Sequence, residues 1–460
     1  QARALQACVA RLRGSLVASY SRFDLRNLSQ AGEPAPSPFF LELYREATGR
    51  TDADYRSMLA DLPEARGFVP DAASALDDTE WWLCRLKAAS REFGPGAAAP
   101  LVRAAHPWLE DGRAAEEARA SDELTFWDGR VKGPVPELDP RRSGLPISAS
   151  RIQELAQCPF AFFVRRVLRV EPPDDLERDP SRWLEPMHEG SLLHEVFRTF
   201  LERLTERGCK PDADRDLETI LSIAAERIAA WRDRVPPSSE VAFEAQREGI
   251  LQACRTFLAA ETKHCREVTP RWFEVGFGVR DAAEDAIASA EPVEIALPRG
   301  ERMRLRGSID RVDEGPAGAF QIWDYKTGSA AGIQEGRGLD GLRQAQPALY
   351  ALALEALLRR RHLPGSVTRS GYFFPGRKGE GQRVALPVDA EETGRALSRL
   401  FDLTGAGFFP HATSRDGCKF CVVEEVCGGP AEASAASLRK LAASLDPAVA
   451  GFRELHGLDD

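Results

Sequence analysis

In residues 303–328, MRLRGSIDRVDEGPAGAFQIWDYKTG, two apolar-rich runs flank a Gly-Pro-Ala-Gly turn, the pattern of a β-hairpin. The first run carries Asp310, and the second carries Asp324 and Lys326. Side chains alternate along a strand, so Asp324 and Lys326 share a face while Tyr325 takes the other. Asp310 can meet the first two across the hairpin.

Two carboxylates held roughly 4 Å apart repel by about 1 to 4 kcal/mol at surface-like dielectric values, so such a pair shares a proton or a cation. Oxygen ligands favour Mg²⁺ or Mn²⁺. A cation there, with Lys326 beside it, meets the needs of phosphodiester cleavage, because it binds and polarises the phosphate and lowers the pKa of an attacking water. Asp-x-Lys by itself is short, and an ion pair at a strand end is its plain alternative.

Outward from the hairpin, residues 272–279 (WFEVGFGV) and 293–297 read as strands before it, and 371–374 and 384–388 as strands after it. Helices are predicted over about 347–361 and 391–403. Gln344, Gln346 and Tyr350 open the first of these, with Gln346 and Tyr350 on one face at i, i+4. That spacing can reach a phosphate or a base, and it equally fits an exposed helix.

Upstream, Ser148-Ala149-Ser150 offers an N-cap for a helix running from 151 toward 167, with a break or kink at Pro159. His194 sits in GSLLHEVF among Leu192, Leu193, Val196 and Phe197, where a lone histidine ordinarily packs or hydrogen-bonds. Helical stretches near 215–233 and 241–265 precede the first strands. The pattern is α/β, a mixed sheet between helices. It divides the chain into a mostly helical segment at 1–125, with Trp81, Trp82, Trp108 and Trp127 available for packing, a Gly- and Pro-rich linker at 126–147, an α/β domain at 148–430 and a frayed helical tail at 431–460.

The 460 residues are 43% hydrophobic and 29% charged, values of an ordinary globular protein. No apolar run reaches the length of a membrane span and no signal peptide is recognisable, so the expected address is the cytoplasm. The net charge of −10 argues against a nucleic-acid partner. Local basic clusters at Arg165, Arg166 and Arg169, at 359–362 and at Arg377 and Lys378 read as solvated helix ends or loops. Nine cysteines without a signal peptide point to thiols or metal ligands rather than disulfides. Cys8, Cys84, Cys209, Cys254 and Cys265 lack ligand spacing and read as core residues. Cys158, with the C-x2-C-x5-C group of Cys418, Cys421 and Cys427, has the composition of a four-cysteine site, for which zinc and iron both qualify.

Six segments in order, SASRIQELAQCPFAFFVRRVL, GSLLHEVF, RGSIDRVD, WDYKTG, QAQPALY and CKFCVVEEVC, resemble the nuclease domain of the AddB subunit family of bacterial helicase-nucleases, and more broadly the RecB-like PD-(D/E)XK exonucleases. The resemblance covers roughly 126–430. It implies that His194, Asp310 and Asp324, with the backbone carbonyl of Tyr325, are divalent-metal ligands, that Lys326 is the catalytic lysine, and that Gln346 and Tyr350 lie near the DNA. It also implies a [4Fe–4S] cluster on Cys158, Cys418, Cys421 and Cys427.

Residues 7–24, ACVARLRGSLVASYSRFD, followed by PSPFFLELYRE, resemble the end of a superfamily 1 helicase motor. Ala10 stands where threonine is usual, and no G-x-x-x-x-G-K-[ST] loop is present, so 1–125 reads as the tail of a degenerate helicase domain, in the C-terminal part of a longer protein. The expectation is a Mg²⁺- or Mn²⁺-dependent DNA exonuclease of double-strand-break repair, paired with an AddA-like subunit. Its rivals are a nuclease-fold DNA-binding scaffold with idle acids and a zinc-stapled structural protein.

Overall fold

The computed structural model describes residues 10–11, 13–14, 16, 18–20, 36–62, 69, 72–94, 96, 99–171, 179, 181–279, 287–333, 335, 338–418 and 421–458. The chain forms two compact units, 1–111 and 112–460. The first holds helices Pro38–Thr48, Tyr55–Asp61, Asp78–Phe93 and Ala99–Ala105. Ser37, Asp54 and Asp77 open three of them by accepting a backbone N–H. The tryptophans of this segment contribute less to a core than the sequence suggests. Trp81 and Trp108 are exposed, and their rings meet Trp82 and His106 edge-on; the helix Asp78–Phe93, which carries Trp81, buries only Cys84. No helix among the described residues is long and apolar enough to cross a membrane.

The second unit is built on a mixed seven-stranded sheet, counted among the described residues: β1 Ile147–Ser148, β2 Thr269–Phe277, β3 Val293–Ala296, β4 Arg302–Glu314, β5 Ala319–Tyr325, β6 Ser366–Phe374 and β7 Gln382–Leu386. Long β4 is the spine. Its first half pairs with β1 in parallel and with β3 antiparallel, and its second half pairs antiparallel with β2 and β5. β6 then joins β5 in parallel, and β7 joins β6 antiparallel.

The unit also holds helices α1 Ala149–Gln157, α2 Pro186–Glu206, α3 Leu217–Arg234, α4 Glu240–His264, α5 Gln346–Arg360, α6 Ala390–Gly405, α7 Pro430–Ala443 and α8 Pro447–Leu455. The sheet separates two cores. Ile152, Leu354, Phe401 and Phe452, from α1, α5, α6 and α8, pack with Leu305, Ile309 and Ile322. Phe197, Ile223 and Phe257, from α2, α3 and α4, pack with Phe273, Trp323 and Phe373. Through the second core runs a buried ionic network: Arg311 pairs with Glu261 at 2.7 Å and Asp313 at 2.6 Å, His264 meets Asp313 at 2.7 Å, and Arg383 pairs with Glu261. These ion pairs tie α4 to β4 and β7.

Several expectations change in detail. The first strand, β1, precedes the helices rather than following them, because two residues pairing with β4 leave no strand-length signal in the sequence. The break expected at Pro159 is present: the helix from 151 ends at Gln157, since Pro159 lacks the N–H and clashes with the preceding turn. A single helical turn, Pro159–Phe162, and a π-helical turn, Phe163–Val167, follow it. Cys84, Cys254 and Cys265 are buried as expected, Cys209 is exposed just past the end of α2, and Cys8 lies outside the described residues. The C-terminal stretch is two packed helices rather than one frayed helix, with Leu441, Val449 and Phe452 buried and Lys440 paired to buried Asp128 at 2.6 Å. The Gly- and Pro-rich stretch 126–147 is held to the same unit by that pair and by the salt bridges of Arg141 to Asp402 at 2.9 Å and Glu301 at 3.2 Å.

Candidate metal centre and cysteine group

The acids of the hairpin meet where strand alternation places them. Arg311 pairs with Trp323 in the β4–β5 register, so Asp310 and Asp324 come opposite each other. Asp310 Oδ2 accepts the backbone N–H of Tyr325 at 2.8 Å. Asp324 is buried, its Oδ2 2.6 Å from Lys326 Nζ. Gln346, at the start of α5, donates to Asp324 Oδ1 at 2.6 Å and accepts from Lys326 Nζ at 3.0 Å. Its amide also reaches the Tyr350 hydroxyl at 3.1 Å, so both residues point inward to the acid–lysine pair.

His194 arrives from α2, whose apolar stripe from Leu192 to Leu204 anchors the helix in the second core. Its Nδ1 lies 3.5 Å from Glu274 Oε1 and 3.8 Å from Asp310 Oδ2. His194, Glu274 and Asp310 are the one group of three such side chains among the described residues whose donor atoms all lie within 4.8 Å of one another. Sequence reasoning missed Glu274. The available signal was a single acid inside the otherwise apolar run WFEVGFGV.

The backbone at Glu274 explains its reach. With φ of 49° it adopts the left-handed conformation, uncommon for a residue with a side chain and concentrated at functional sites. Phe273 packs in one core while Val275 and Phe277 pack in the other, so β2 changes faces at this residue. Ser308 Oγ supports the carboxylate at 3.4 Å.

The electrostatics describe a site short of positive charge. Burial, then the Asp324 charge, push the Asp310 carboxyl well above the ordinary carboxylate range. Burial also raises Asp324, against the opposing pull of Lys326. Burial works against protonated His194, yet the hydrogen bond to Glu274 and the Asp310 charge outweigh it and raise its pKa. A cation among these groups would relieve the two carboxyls and displace the proton from His194.

Residues 146–428 match the PD-(D/E)XK nuclease superfamily. The chain belongs to that superfamily. The match runs from β1 to one residue past Cys427, so the acids and both parts of the cysteine group lie inside the nuclease domain. The chain is also similar to proteins named as the B subunit of an ATP-dependent helicase/deoxyribonuclease. It is 30% identical over 297 residues to that of Desulforudis audaxviator, covering 61% of this chain and 23% of the relative. It is 29% identical over 247 residues to that of Lysinibacillus sphaericus, covering 50% and 18%, and 27% identical over 202 residues to that of Clostridium tetani, covering 40% and 16%. The chain thus spans less than a quarter of the length of these curated relatives.

Within the nuclease domain the four cysteines converge from its two ends. Cys158 ends α1 and opens the next turn, where its Sγ accepts the Ala161 N–H at 3.4 Å. Cys158 and Cys421 pack against a small apolar cluster of Ala161, Val164 and Val423. Burial pushes the Cys158 thiol up to about 12, the nearby Cys421 and Cys418 add to the rise, and the Ala161 and Ala412 N–H groups oppose it. Cys418 and Cys427 are likewise raised, by burial first and then by Cys421. No three of these sulfurs lie within 4.8 Å of one another.

Proposed function

We propose that this chain is the nuclease-bearing part of an AddB-like subunit, a divalent-metal-dependent DNA exonuclease acting in double-strand-break repair and recombination. The observation that carries the reading is the meeting of His194, Glu274 and Asp310 beside the Asp324–Lys326 pair, inside the superfamily match. The residues fit a hard divalent cation: the donor atoms are clustered, the carboxyls repel, and buried Asp324 Oδ2 has only the Lys326 ion pair and no well-aligned hydrogen bond.

His194, Asp310, Asp324 and the Tyr325 carbonyl would hold Mg²⁺ or Mn²⁺, with Glu274 adjoining. When bound, the ion polarises the scissile phosphate and lowers the pKa of the attacking water. Lys326, 40% exposed, offers its ammonium to charge developing on the phosphate. Gln346 fixes both Lys326 and Asp324, and Tyr350 fixes Gln346.

Cys158, Cys418, Cys421 and Cys427 are assigned to a [4Fe–4S] cluster. Backbone N–H groups aimed at the Cys158 sulfur favour a thiolate ligand. The name of the relatives supports a DNA substrate, an AddA-like motor partner and a degenerate helicase-like origin for 1–125, although the motif at 7–24 falls largely outside the described residues.

Anaerobic purification with iron and sulfide analysis, followed by a Mg²⁺-dependent assay on DNA labelled at each end in turn, tests the reading. Degradation that needs divalent metal and vanishes in Asp324→Ala supports it. Equal degradation in Asp324→Ala, or none by the wild-type protein, sinks it and leaves the scaffold reading.

A further inference from the structure

We infer that Arg151, Arg166 and Arg306 form a phosphate-holding subsite that grips the DNA strand beside the acidic cluster. The inference rests on the nuclease reading and extends it to the residues that hold the strand.

These arginines are far apart in sequence, and the fold gathers them. The parallel β1–β4 pairing sets Ser148 opposite Arg306. Ser148 caps α1, its Oγ accepting the Arg151 N–H at 3.4 Å, so Arg151 starts within one turn of that pair. One turn further along α1, Glu154 is held by Arg165 at 2.6 Å and by Arg166 at 2.8 Å. Glu154 therefore already serves Arg165 and Arg166, while Arg306 and Arg166 lie near enough to Arg151 for their charges to act on it. Among the described residues no acid lies within ion-pair distance of Arg151 or Arg306. Burial, then the charges of Arg306 and Arg166, hold the Arg151 pKa below its ordinary value, the state an incoming anion would relieve.

The cluster also lies on the line of the metal site. Arg306, Ser308 and Asp310 alternate along β4; Ser308 reaches Glu274, and Asp310 belongs to the metal group. At about 3.3 Å per residue, the Arg306 Cα is about 13 Å from that of Asp310. With the length of its side chain, this puts the guanidinium at a phosphate about one or two nucleotides from a phosphate held at the acids. Guanidinium groups bind phosphate oxygens in bidentate fashion, and such contacts position a strand without reading its bases. A solvated helix end would not bring a β4 arginine to two arginines of a different segment.

The test uses the full-length protein with its partner subunit, in EDTA to stop cleavage, and measures affinity for tailed DNA between about 50 and 200 mM salt. In the double variant Arg151→Gln/Arg306→Gln, the slope of log affinity against log salt should shrink by about 1.4 to 1.8, two contacts' worth. Affinity at the low-salt end should fall at least tenfold. The Arg151→Lys/Arg306→Lys variant should keep the slope and lose affinity, a result misfolding cannot mimic. An unchanged slope in the Gln pair, while the wild-type protein binds and cleaves DNA, overturns the subsite and leaves the nuclease reading standing. A lost slope in the Lys pair also overturns it. A wild-type protein that neither binds nor cleaves DNA overturns both.

Discussion

Gln346 holds Asp324: its amide nitrogen lies 2.6 Å from Asp324 Oδ1, while its amide oxygen takes the Lys326 ammonium at 3.0 Å. One neutral side chain thus sets the separation of the acid and the lysine. Gln346→Ala should leave DNA affinity nearly unchanged and lower the cleavage rate by about a hundredfold, the scale of a misplaced reacting group. Single-turnover cleavage measured beside equilibrium binding separates the two, and a loss of binding with normal turnover would assign Gln346 to the DNA instead.

Asp310 is destabilised by its own charge, since burial and Asp324 both disfavour the carboxylate. Without metal, Asp310→Asn should therefore raise thermal stability by about 1 to 2 kcal/mol, a shift on the order of 2 °C, although it removes a proposed metal ligand. The wild-type melting temperature should rise with Mg²⁺ or Mn²⁺ and that of the variant should not. Asp324→Ala should likewise stay folded while cleavage is lost. Calorimetry with and without metal checks all three outcomes.

Glu261 carries the acid sensitivity of the second core. Burial opposes its ionisation, but Arg311 and Arg383 win and hold its pKa down to about 2. A folded-state pKa below the unfolded value means the stability is present above about pH 4.3 and is lost as pH falls toward 2. The contribution is on the order of 3 kcal/mol. Glu261→Gln should be less stable at neutral pH and show a flatter stability profile over that window. Arg311→Leu leaves Glu261 to Arg383 alone and Asp313 to His264 alone and should cost about 3 to 5 kcal/mol at neutral pH, measured by urea unfolding.

A cluster held by the four cysteines would close a loop of about 260 positions, which by the chain-entropy estimate would restrain the unfolded chain by about 5 kcal/mol. Cys421→Ala should lower the melting temperature and the affinity for DNA together and release iron. Cys209→Ala, on an exposed cysteine away from the group, should change none of these. Unaltered melting and DNA affinity in Cys421→Ala would show that the cysteines do not brace the domain.

Much of the site was legible in residue order. Asp310, Asp324 and Lys326 could be placed on one face because strand alternation and turn chemistry act over a few residues. The stripe on α2 and the i, i+4 pair Gln346 and Tyr350 were readable for the same reason. Glu274 was not, since its reach depends on a left-handed backbone that a strand pattern does not announce. Nor was the inward turn of Gln346 and Tyr350, which depends on α5 lying over β5.

The order of residues alone determined the hairpin, its acids, the α/β class and the two cysteine segments, because each is written in short-range periodicity or spacing. Tertiary structure alone decided that Glu274 joins His194 and Asp310, that Glu261, Arg311 and Asp313 form a buried ionic network, and that β4 brings Arg306 opposite Ser148 at the start of α1. Those relationships pass through strand pairing and helix packing between distant segments. The energies that select such pairings belong to the folded whole, so no local window of sequence contains them.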